Sequence, residues 1–304
     1  HNGELARALE LLLEAARHAH QAGYLRVEAY VYATLGDVYR DQGDFYKALE
    51  AFSRTLEMAE KIRENFLITY ARVAAAEIWR MNGGMDMAHR LLQAALSTAM
   101  LHDSNYEVGQ AHLGMGVLAW EQQDDDTGMR HLERAAQLFE RADAKRELGR
   151  ARFWLAASAI RRQEIMTAVR HLRALASLGK QLDEDQFLIS DAVRAKDVLE
   201  FGIRRNAGVA YFRRVLNKLP SAPKQYPTFA ELELKFPKLE LRSFGELEVW
   251  MDGTLVPKHV WQTAKTIELF FFLALNPRAW RKEQIIEHLW AGALRNPAND
   301  QFHV

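Results

Sequence analysis

The chain has no cysteine among its 304 residues. This absence excludes disulfide bridges, zinc sites with thiolate ligands and a cysteine nucleophile. Excess charge of one sign is also missing, because 40 basic and 40 acidic side chains balance. The balance holds separately for residues 1–218, with 30 of each sign, and for residues 219–304, with 10 of each. Since nucleic-acid-binding surfaces usually carry excess positive charge, the chain as it stands is not expected to bind DNA tightly.

Long apolar runs are missing too. No stretch of the sequence approaches the ~20 consecutive apolar residues that a membrane-spanning helix needs. No positively charged leader followed by an apolar segment opens the chain. We therefore expect a cytoplasmic protein. The chain begins at His1, already inside a helical pattern, so we interpret it as a fragment excised from a longer protein.

What the sequence does contain is an internal repeat of 40 residues, which continues without a gap through six copies. Small residues recur once per copy, and a large apolar residue follows each of them four positions later. The small residues are Ala8, Ala48, Ala88, Gly128, Ala168 and Gly208, and the large ones are Leu12, Phe52, Leu92, Leu132, Leu172 and Phe212. Two helices approach closely only where a side chain is almost absent, and the large residue fills the space beside that contact. The sequence therefore predicts a repeat array.

Each unit of the array is predicted to contain two helices. The first helices are Leu25–Gln42, Asn65–Met81, Tyr106–Gln122, Lys145–Arg162 and Asp185–Phe201, and the second helices are Phe45–Ile62, Met85–Leu101, Thr127–Arg141, Ile165–Leu178 and Arg204–Leu219. Turn residues such as Gly43 and Gly83 separate them. The opening segment Glu4–Gln21 aligns with the second helix of a unit, so we expect the array to have continued upstream.

One copy carries a familiar spacing of side chains. Its residues are Tyr32, Leu35, Gly36, Tyr39, Ala48 and Phe52. This pattern resembles the tetratricopeptide (TPR) repeat, with the extra length in the helices. Over residues 3–219 the chain is similar to the sensor solenoid of large bacterial regulators of the MalT type. The resemblance implies a mainly α fold, a TPR-like solenoid of helical hairpins over residues 1–219.

In TPR arrays the first helices line a concave groove that receives ligands or partner peptides. Aligning the units on Gly36 places aromatic, acidic and guanidinium side chains on that face. The candidate groove residues are Tyr30, Asp37, Arg40, Tyr70, Glu77, Arg80, Trp120, Arg150, Phe153 and Arg161. Such groups suit a polar effector, a peptide or a protein segment, because rings stack and guanidinium forks clamp carboxylates. The alternative is structural: the charges form surface ion pairs within one helix, and the tyrosines pack between units.

Enzyme motifs are missing from the sequence. It has no P-loop, no H-E-x-x-H and no G-x-S-x-G. The acidic run Asp124–Asp126 lacks the glutamate that a calcium loop needs, because position 135 is alanine. His18 and His20 are two residues apart and point to different faces of a helix. We therefore expect no enzymatic activity, no cofactor and no metal.

After Leu219 the pattern changes. Pro220, Pro223, Pro227 and Pro237 exclude a helix, so residues 220–238 are predicted to form an extended linker. A small α+β domain is predicted over residues 239–304. Its elements are the strands Leu239–Ser243, Leu247–Trp250 and Thr254–Val256, followed by the helices Thr263–Leu275 and Arg281–Trp290.

This domain resembles the start of an OmpR/PhoB-type winged helix, and within that group the bacterial transcriptional activators of the SARP type. The residues that carry the resemblance are Phe244, Gly245, Gly253, Trp261, Lys265, the run Leu269–Leu275, Ile285, Leu289 and Trp290. The resemblance implies a third helix that enters the DNA major groove and a β-hairpin wing. Here Pro297–Val304 is only the beginning of that helix. The alternative is an unrelated α+β cap on the solenoid.

Arg281 and Lys282, at the start of the second helix of this domain, are candidate phosphate contacts, and surface solubility is the alternative. Together the two resemblances predict a fragment of a bacterial transcriptional regulator. Its solenoid would bind an effector ligand, peptide or protein and would control DNA binding by the intact protein. The rival hypothesis is a TPR scaffold or adaptor that contacts only proteins. The balanced charge and the helical repeat permit a homo-oligomer without requiring one.

Overall fold

A computed structural model describes residues 2–220 and 239–289, apart from residues 244, 252, 262 and 277–279. All but the first residue of the predicted linker, and the predicted start of a third helix at Pro297–Val304, lie outside the described residues. Contacts between Cα atoms divide the chain into two compact units, residues 1–232 and residues 233–304.

The first unit is an array of antiparallel helical hairpins, which confirms the predicted repeat architecture. Its helices are α1 (Asn2–Gln21), α2 (Leu25–Gln42), α3 (Phe45–Ile62), α4 (Asn65–Met81), α5 (Met85–Leu101), α6 (Asn105–Glu121), α7 (Asp125–Arg141), α8 (Lys145–Arg161), α9 (Ile165–Leu182), α10 (Gln186–Arg194), α11 (Lys196–Arg204) and α12 (Val209–Lys218). Hairpins form between α2 and α3, α4 and α5, α6 and α7, and α8 and α9. None of the described helices is long and apolar enough to cross a membrane.

A turn residue with positive φ recurs every 20 residues along the array. These residues are Gly23, Gly43, Arg63, Gly83, Asp103, Gln123, Asp143, Gln163 and Asp183. Only three of them are glycine, so most turns place a side-chain-bearing residue in the left-handed region, at a conformational cost. Two such turns complete one hairpin, and this spacing sets the 40-residue period.

Gly36 and Gly116, which stand at the same position of the repeat, lie where two helices approach closely. A Cβ atom added to Gly36 would lie 2.5 Å from the Phe52 ring, and one added to Gly116 would lie 2.6 Å from Leu132. Phe52 and Leu132 are both buried. In both hairpins a large apolar side chain therefore packs against the backbone of the partner helix at a glycine.

The fifth unit differs from the prediction. A single helix over Asp185–Phe201 is wrong, because Ala195 (φ −138°, ψ 57°) leaves the helical region and separates α10 from α11. The break allows α10 to bury Leu188 and Asp191 while α11 buries Val198 and Leu199 in the same core. The last helix of the unit is also shorter than predicted, since α12 begins at Val209.

The second unit is a small α+β module. Strands β1 (Leu239–Arg242), β2 (Glu248–Met251) and β3 (Thr254–Leu255) form an antiparallel sheet in the order β1-β2-β3. A short 3-10 helix, Lys258–Val260, leads to α13 (Ala264–Leu275) and α14 (Lys282–Leu289). The Thr263 hydroxyl caps α13 by accepting a hydrogen bond from the Thr266 amide. Among the described residues Val249, Phe271 and Ile285 are the buried apolar ones, and the order of elements matches the predicted order.

Candidate functional site

The first helices of the hairpins and α10 contribute to one face of the array, which we call the inner face, and charged side chains of different helices meet on it. A 40-residue repeat places equivalent residues of successive units side by side, so Asp37 and Arg40 on α2 stand next to Glu77 and Arg80 on α4. The Arg40 Nη1 atom lies 3.1 Å from Asp37 Oδ1 and 3.5 Å from Glu77 Oε2. These candidate residues are thus brought together across two helices and do not remain separate pairs within one helix.

Glu77 is the centre of the inner face. Its carboxylate lies 3.5 Å from Arg40, 3.8 Å from Arg80 and 3.8 Å from Arg150 on α8. Because α6 lies between α4 and α8 in the array, the contact with Arg150 requires the first helices to curve toward these side chains. Burial acts to raise the pKa of Glu77, but Arg40, Arg150 and Arg80 outweigh it and lower the pKa to about 2. Glu77 is therefore ionised at physiological pH.

A second connection joins α4, α6 and α10. The buried Arg80 Nη1 donates a 2.5 Å hydrogen bond to Glu121 Oε1 at the end of α6. Arg194 on α10 donates to the same oxygen from Nε at 2.9 Å. Burial and the neighbouring charge of Arg194 lower the pKa of Arg80. The sequence analysis missed Glu121 and Arg194. Glu121 could have been found, because it occupies the same repeat position as Asp41.

A third connection joins α8 to α10. Arg150 donates two hydrogen bonds to the Asp191 carboxylate, from Nε at 2.6 Å and from Nη2 at 3.2 Å. The Trp154 indole donates a third, to Asp191 Oδ1, at 2.9 Å. Asp191 and Trp154 are buried, so the carboxylate is neutralised and hydrogen-bonded away from water. The sequence analysis missed both residues. Asp191 stands at the repeat position of the buried Ala71, Ala111 and Ala151, so the repeat by itself places it in the core and not on this face.

At the opposite end of the inner face the Tyr70 hydroxyl donates a hydrogen bond to Asp37 Oδ2. Burial raises the pKa of Asp37, against the opposing effects of Arg40 and of this hydrogen bond. The Tyr30 ring stacks on Phe66 with centroids 6.5 Å apart, and Phe66 stacks on Tyr70 at 6.0 Å. Tyr30 is partly exposed. An aromatic row thus extends the polar network toward α2.

The remaining groove candidates lie at the end of α6 and on α8. The Arg161 guanidinium lies 4.2 Å from the centroid of the Trp120 ring, donates to the Trp120 carbonyl oxygen at 2.9 Å and contacts Asp125 at 3.1 Å. Trp120 also packs against Trp154, with centroids 4.8 Å apart. The prediction for Phe153 is corrected: its side chain is completely buried in the core, so it cannot face a ligand. It belongs to the packing between hairpins.

The charged side chains of the inner face enclose a cavity of about 40 Å³. Its polar lining consists of Glu77, Arg80, Gln110, Arg150 and Asp191. A cavity of this volume holds a few water molecules, whereas small-molecule sites usually measure ~300–1,000 Å³. This cavity is therefore too small for a small-molecule effector, and the ion pairs of the inner face surround it.

The other predicted contacts lie in the second unit. Arg281 is exposed just before α14, with its amide bonded to Gln284 Oε1 at 3.0 Å. Lys282 is half-buried at the first position of α14. Within the described parts of both units no three His, Asp or Glu side chains are grouped so that they could hold a metal ion.

Comparison with known proteins supports the fold of the solenoid. No family model and no curated protein matches the sequence. The crystal structure of BtubC (BKLC) from P. vanneervenii is similar, with a TM-score of 0.54 and 16% identity over 80% of this chain and 97% of that one. A Rap protein complexed with Competence and Sporulation Factor is similar with a TM-score of 0.51 and 14% identity, over 69% of this chain and 74% of that one. At this identity the likeness concerns the fold alone, and it identifies the chain as a TPR-like helical solenoid.

Proposed function

We propose that the chain is an interaction scaffold without enzymatic activity, and that its inner face binds an extended segment of a partner protein. A curved helical array offers a long surface whose charged side chains come from several helices, which suits a ligand without a compact shape. The similar Rap protein was solved in complex with Competence and Sporulation Factor, so this fold holds a partner in at least one case. That observation supports binding by the fold and carries no information about the partner of this chain.

The observation that carries the proposal is the difference between tight and loose ion pairs on the inner face. Arg80 and Arg150 hold Glu121 and Asp191 at 2.5 and 2.6 Å. All three contacts of Glu77 with arginines are longer, at 3.5–3.8 Å. Loose and partly solvated pairs contribute little free energy. A partner carboxylate therefore replaces Glu77 at the arginines without breaking the tight pairs.

Direct binding of a defined library of 15-residue peptides to the 304-residue chain tests this proposal. We expect the bound peptides to carry at least one carboxylate, and we expect Arg40→Ala to weaken their binding about tenfold. Arg40 is half-buried, and its contacts with Asp37 at 3.1 Å and Glu77 at 3.5 Å are longer than the tight pairs of Arg80 and Arg150. Arg173→Ala is the matched control, since Arg173 is an exposed arginine on α9. Peptides that bind the wild type and Arg40→Ala equally, or an absence of bound peptides, would overturn the proposal.

We propose transcription regulation by the intact protein as a second candidate function. The observation that favours it is the second unit, where an antiparallel sheet precedes α13 and α14 in the order that a partial winged helix requires. The experiment is a gel shift with a protein extended beyond Val304 through a third helix and a wing. Retardation of duplex DNA that weakens as salt rises supports this function. No retardation at low salt contradicts it and leaves the scaffold proposal in place.

A further inference from the structure

Two interfaces between successive hairpins of the solenoid, on either side of the α5–α6 interface, are joined by an equivalent ion pair. Between α3 and α4 Arg72 contacts Glu60 at 3.0 Å, and between α7 and α8 Arg152 contacts Glu140. Both partners of the second pair lie 80 residues after those of the first, at the same positions of the repeat. At the interface between α5 and α6 these positions hold Met100 and His112. This interface therefore lacks the carboxylate that both flanking interfaces contain.

A cavity of about 290 Å³ opens at this interface, and we call it the α5–α6 cavity. Its apolar lining comes from Met100, Val108 and Leu138, and its polar lining includes His112 and Arg134. Its volume is close to the lower limit of small-molecule sites, ~300 Å³. An apolar wall facing a few polar groups is the usual composition of such sites.

The donors on the polar side of the α5–α6 cavity form no ion pair with a carboxylate of the described residues. Arg134 is exposed and forms no ion pair with any described residue, and the equivalent positions in the flanking units are Ala94 and Ala174. His112 Nδ1 lies 2.8 Å from His131 Nδ1, so one ring donates this hydrogen bond and the other accepts it. The exposed Asp103 is the acidic residue of the lining. It sits in the turn after α5, where water screens its charge.

We propose that the α5–α6 cavity binds a small organic monocarboxylate with an apolar body, and that its carboxylate takes the place that Glu60 and Glu140 occupy in the flanking interfaces. The Arg134 guanidinium fork is suited to a carboxylate, since two parallel N–H donors match its two oxygens. The apolar body packs against Met100, Val108 and Leu138. The site lies away from the inner face, and this inference does not depend on the proposed scaffold function.

Binding is coupled to the protonation of His112. Burial and His131 lower the pKa of His112 to about 4, with Arg134 of α7 adding to the effect. Burial, Arg130 and His89 of α5 lower the pKa of His131. The groups that face the pair from α5, α7 and the intervening turn are thus cationic or neutral, apart from Asp103. A bound carboxylate raises the pKa of His112, so by linkage the ligand binds more tightly at pH 5.5 than at pH 7.5.

The probe for a binding experiment is hexanoate, with butylammonium and inorganic phosphate as comparisons. Titration into the 304-residue chain is followed by NMR signals of the histidine side chains and by calorimetry. We expect saturable hexanoate binding that shifts the His112 signals and tightens at lower pH, no binding of butylammonium, and weaker binding of phosphate, which lacks an apolar body. No saturable binding of hexanoate at pH 5.5 overturns the proposal, as does phosphate binding at least as tight as hexanoate binding.

Two substitutions separate this site from a nonspecific surface. Met100→Glu restores the carboxylate of the flanking interfaces, so we expect it to abolish hexanoate binding and to raise Tm at pH 5.5, while Met100→Gln of nearly the same size retains binding. Arg134→Ala lowers the affinity about tenfold, and Arg173→Ala leaves it unchanged. Hexanoate affinity that is the same in Met100→Glu as in Met100→Gln contradicts the proposal. An unchanged affinity in Arg134→Ala contradicts it independently.

Discussion

The N-terminal and C-terminal hairpins of the solenoid have the same backbone repeat but are stabilised differently. Among the described residues, the buried apolar side chains of α2–α5 form three small clusters. Leu56 and Tyr70 pack against two of them, and the third reaches Leu118. From Leu113 to Val215 the buried apolar side chains form one continuous core. Two repeat positions on the inner face are charged in the first two hairpins, which hold Asp37 and Arg40, then Glu77 and Arg80. In the next two hairpins the same positions are uncharged and hold Val117 and Trp120, then Ala157 and Ile160. One repeat geometry thus tolerates both a polar and an apolar inner face.

The largest effect is expected from Trp154→Ala in the continuous core. Trp154 is fully buried and donates to Asp191, so its loss leaves a cavity and weakens the neutralisation of a buried carboxylate. Large-to-small core substitutions of this kind cost roughly 3–5 kcal/mol. Urea unfolding measures the loss of stability, and hydrogen exchange locates it. Protection lost in α6–α12 and kept in α2–α5 supports the difference between the halves, and equal loss in both halves contradicts it.

A smaller effect is expected from Glu77→Gln, which removes the central carboxylate of the inner face. Arg40, Arg80 and Arg150 then face one another with less neutralisation. We expect the free energy of unfolding to fall by about 1.5 kcal/mol, because three loose ion pairs are lost together and each contributes only ~0.2–1 kcal/mol. Glu57→Gln is the matched control: it removes an exposed glutamate that pairs with Lys61 one helical turn away. Water screens such an exposed pair, so its loss changes stability little. Equal losses in the two variants would refute a special role of Glu77.

The pH dependence of stability tests the contribution of the Glu77 carboxylate in a second way. The pKa of Glu77 is about 2 in the folded chain, below its ordinary value of 4.5. A lowered carboxylate pKa stabilises the folded state above the unfolded pKa, and this contribution is lost as pH falls through the folded pKa. The difference in stability between the wild type and Glu77→Gln is therefore constant above pH 5 and shrinks between about pH 4.5 and pH 2. Thermal unfolding at closely spaced pH values measures it, and a difference that grows on acidification is the contrary result.

The smallest effects are expected where the two halves are alike. Gly36→Ala places a Cβ atom against Phe52, and Gly116→Ala places one against Leu132. Overpacking of a close contact costs ~1–3 kcal/mol, while alanine gains ~1 kcal/mol of helix propensity over glycine. Both variants should lose about 1 kcal/mol in urea unfolding. A large loss in one variant and none in the other would show that the repeated contact is not equivalent in the two halves.

Much of the fold could be predicted from the sequence, because hairpin packing is a local and periodic property. The bounds of α2–α5 coincide with the predicted ones, since small and large residues alternate in phase over whole hairpins. The break at Ala195 could not be predicted, because neither glycine nor proline marks it. Most turn residues were also inconspicuous. Arg63 and Gln163 adopt positive φ because the packed helices on both sides require it, which local propensity does not reveal.

The candidate site was only partly predictable. Alignment of the units found five of its residues, because residues 40 positions apart stand side by side. These are Asp37, Arg40, Glu77, Arg80 and Arg150. Their partners Glu121, Asp191 and Arg194 come from other repeat positions and from helices that curvature brings near. Phe153 was assigned to the wrong face. The units were aligned on the single residue Gly36, and such an alignment does not distinguish a partly exposed position from the buried position beside it.

The amino-acid sequence by itself determined that this chain forms paired helices with a 40-residue period, because close helix packing needs small and large residues at regular intervals. It also determined which side chains of successive units share a row. Only the tertiary structure decided which charges meet across that row, and at what distance. The curvature of the array results from the packing of many side chains together. The distance between two charged groups depends on this curvature, and a change of one ångström decides whether they form an ion pair.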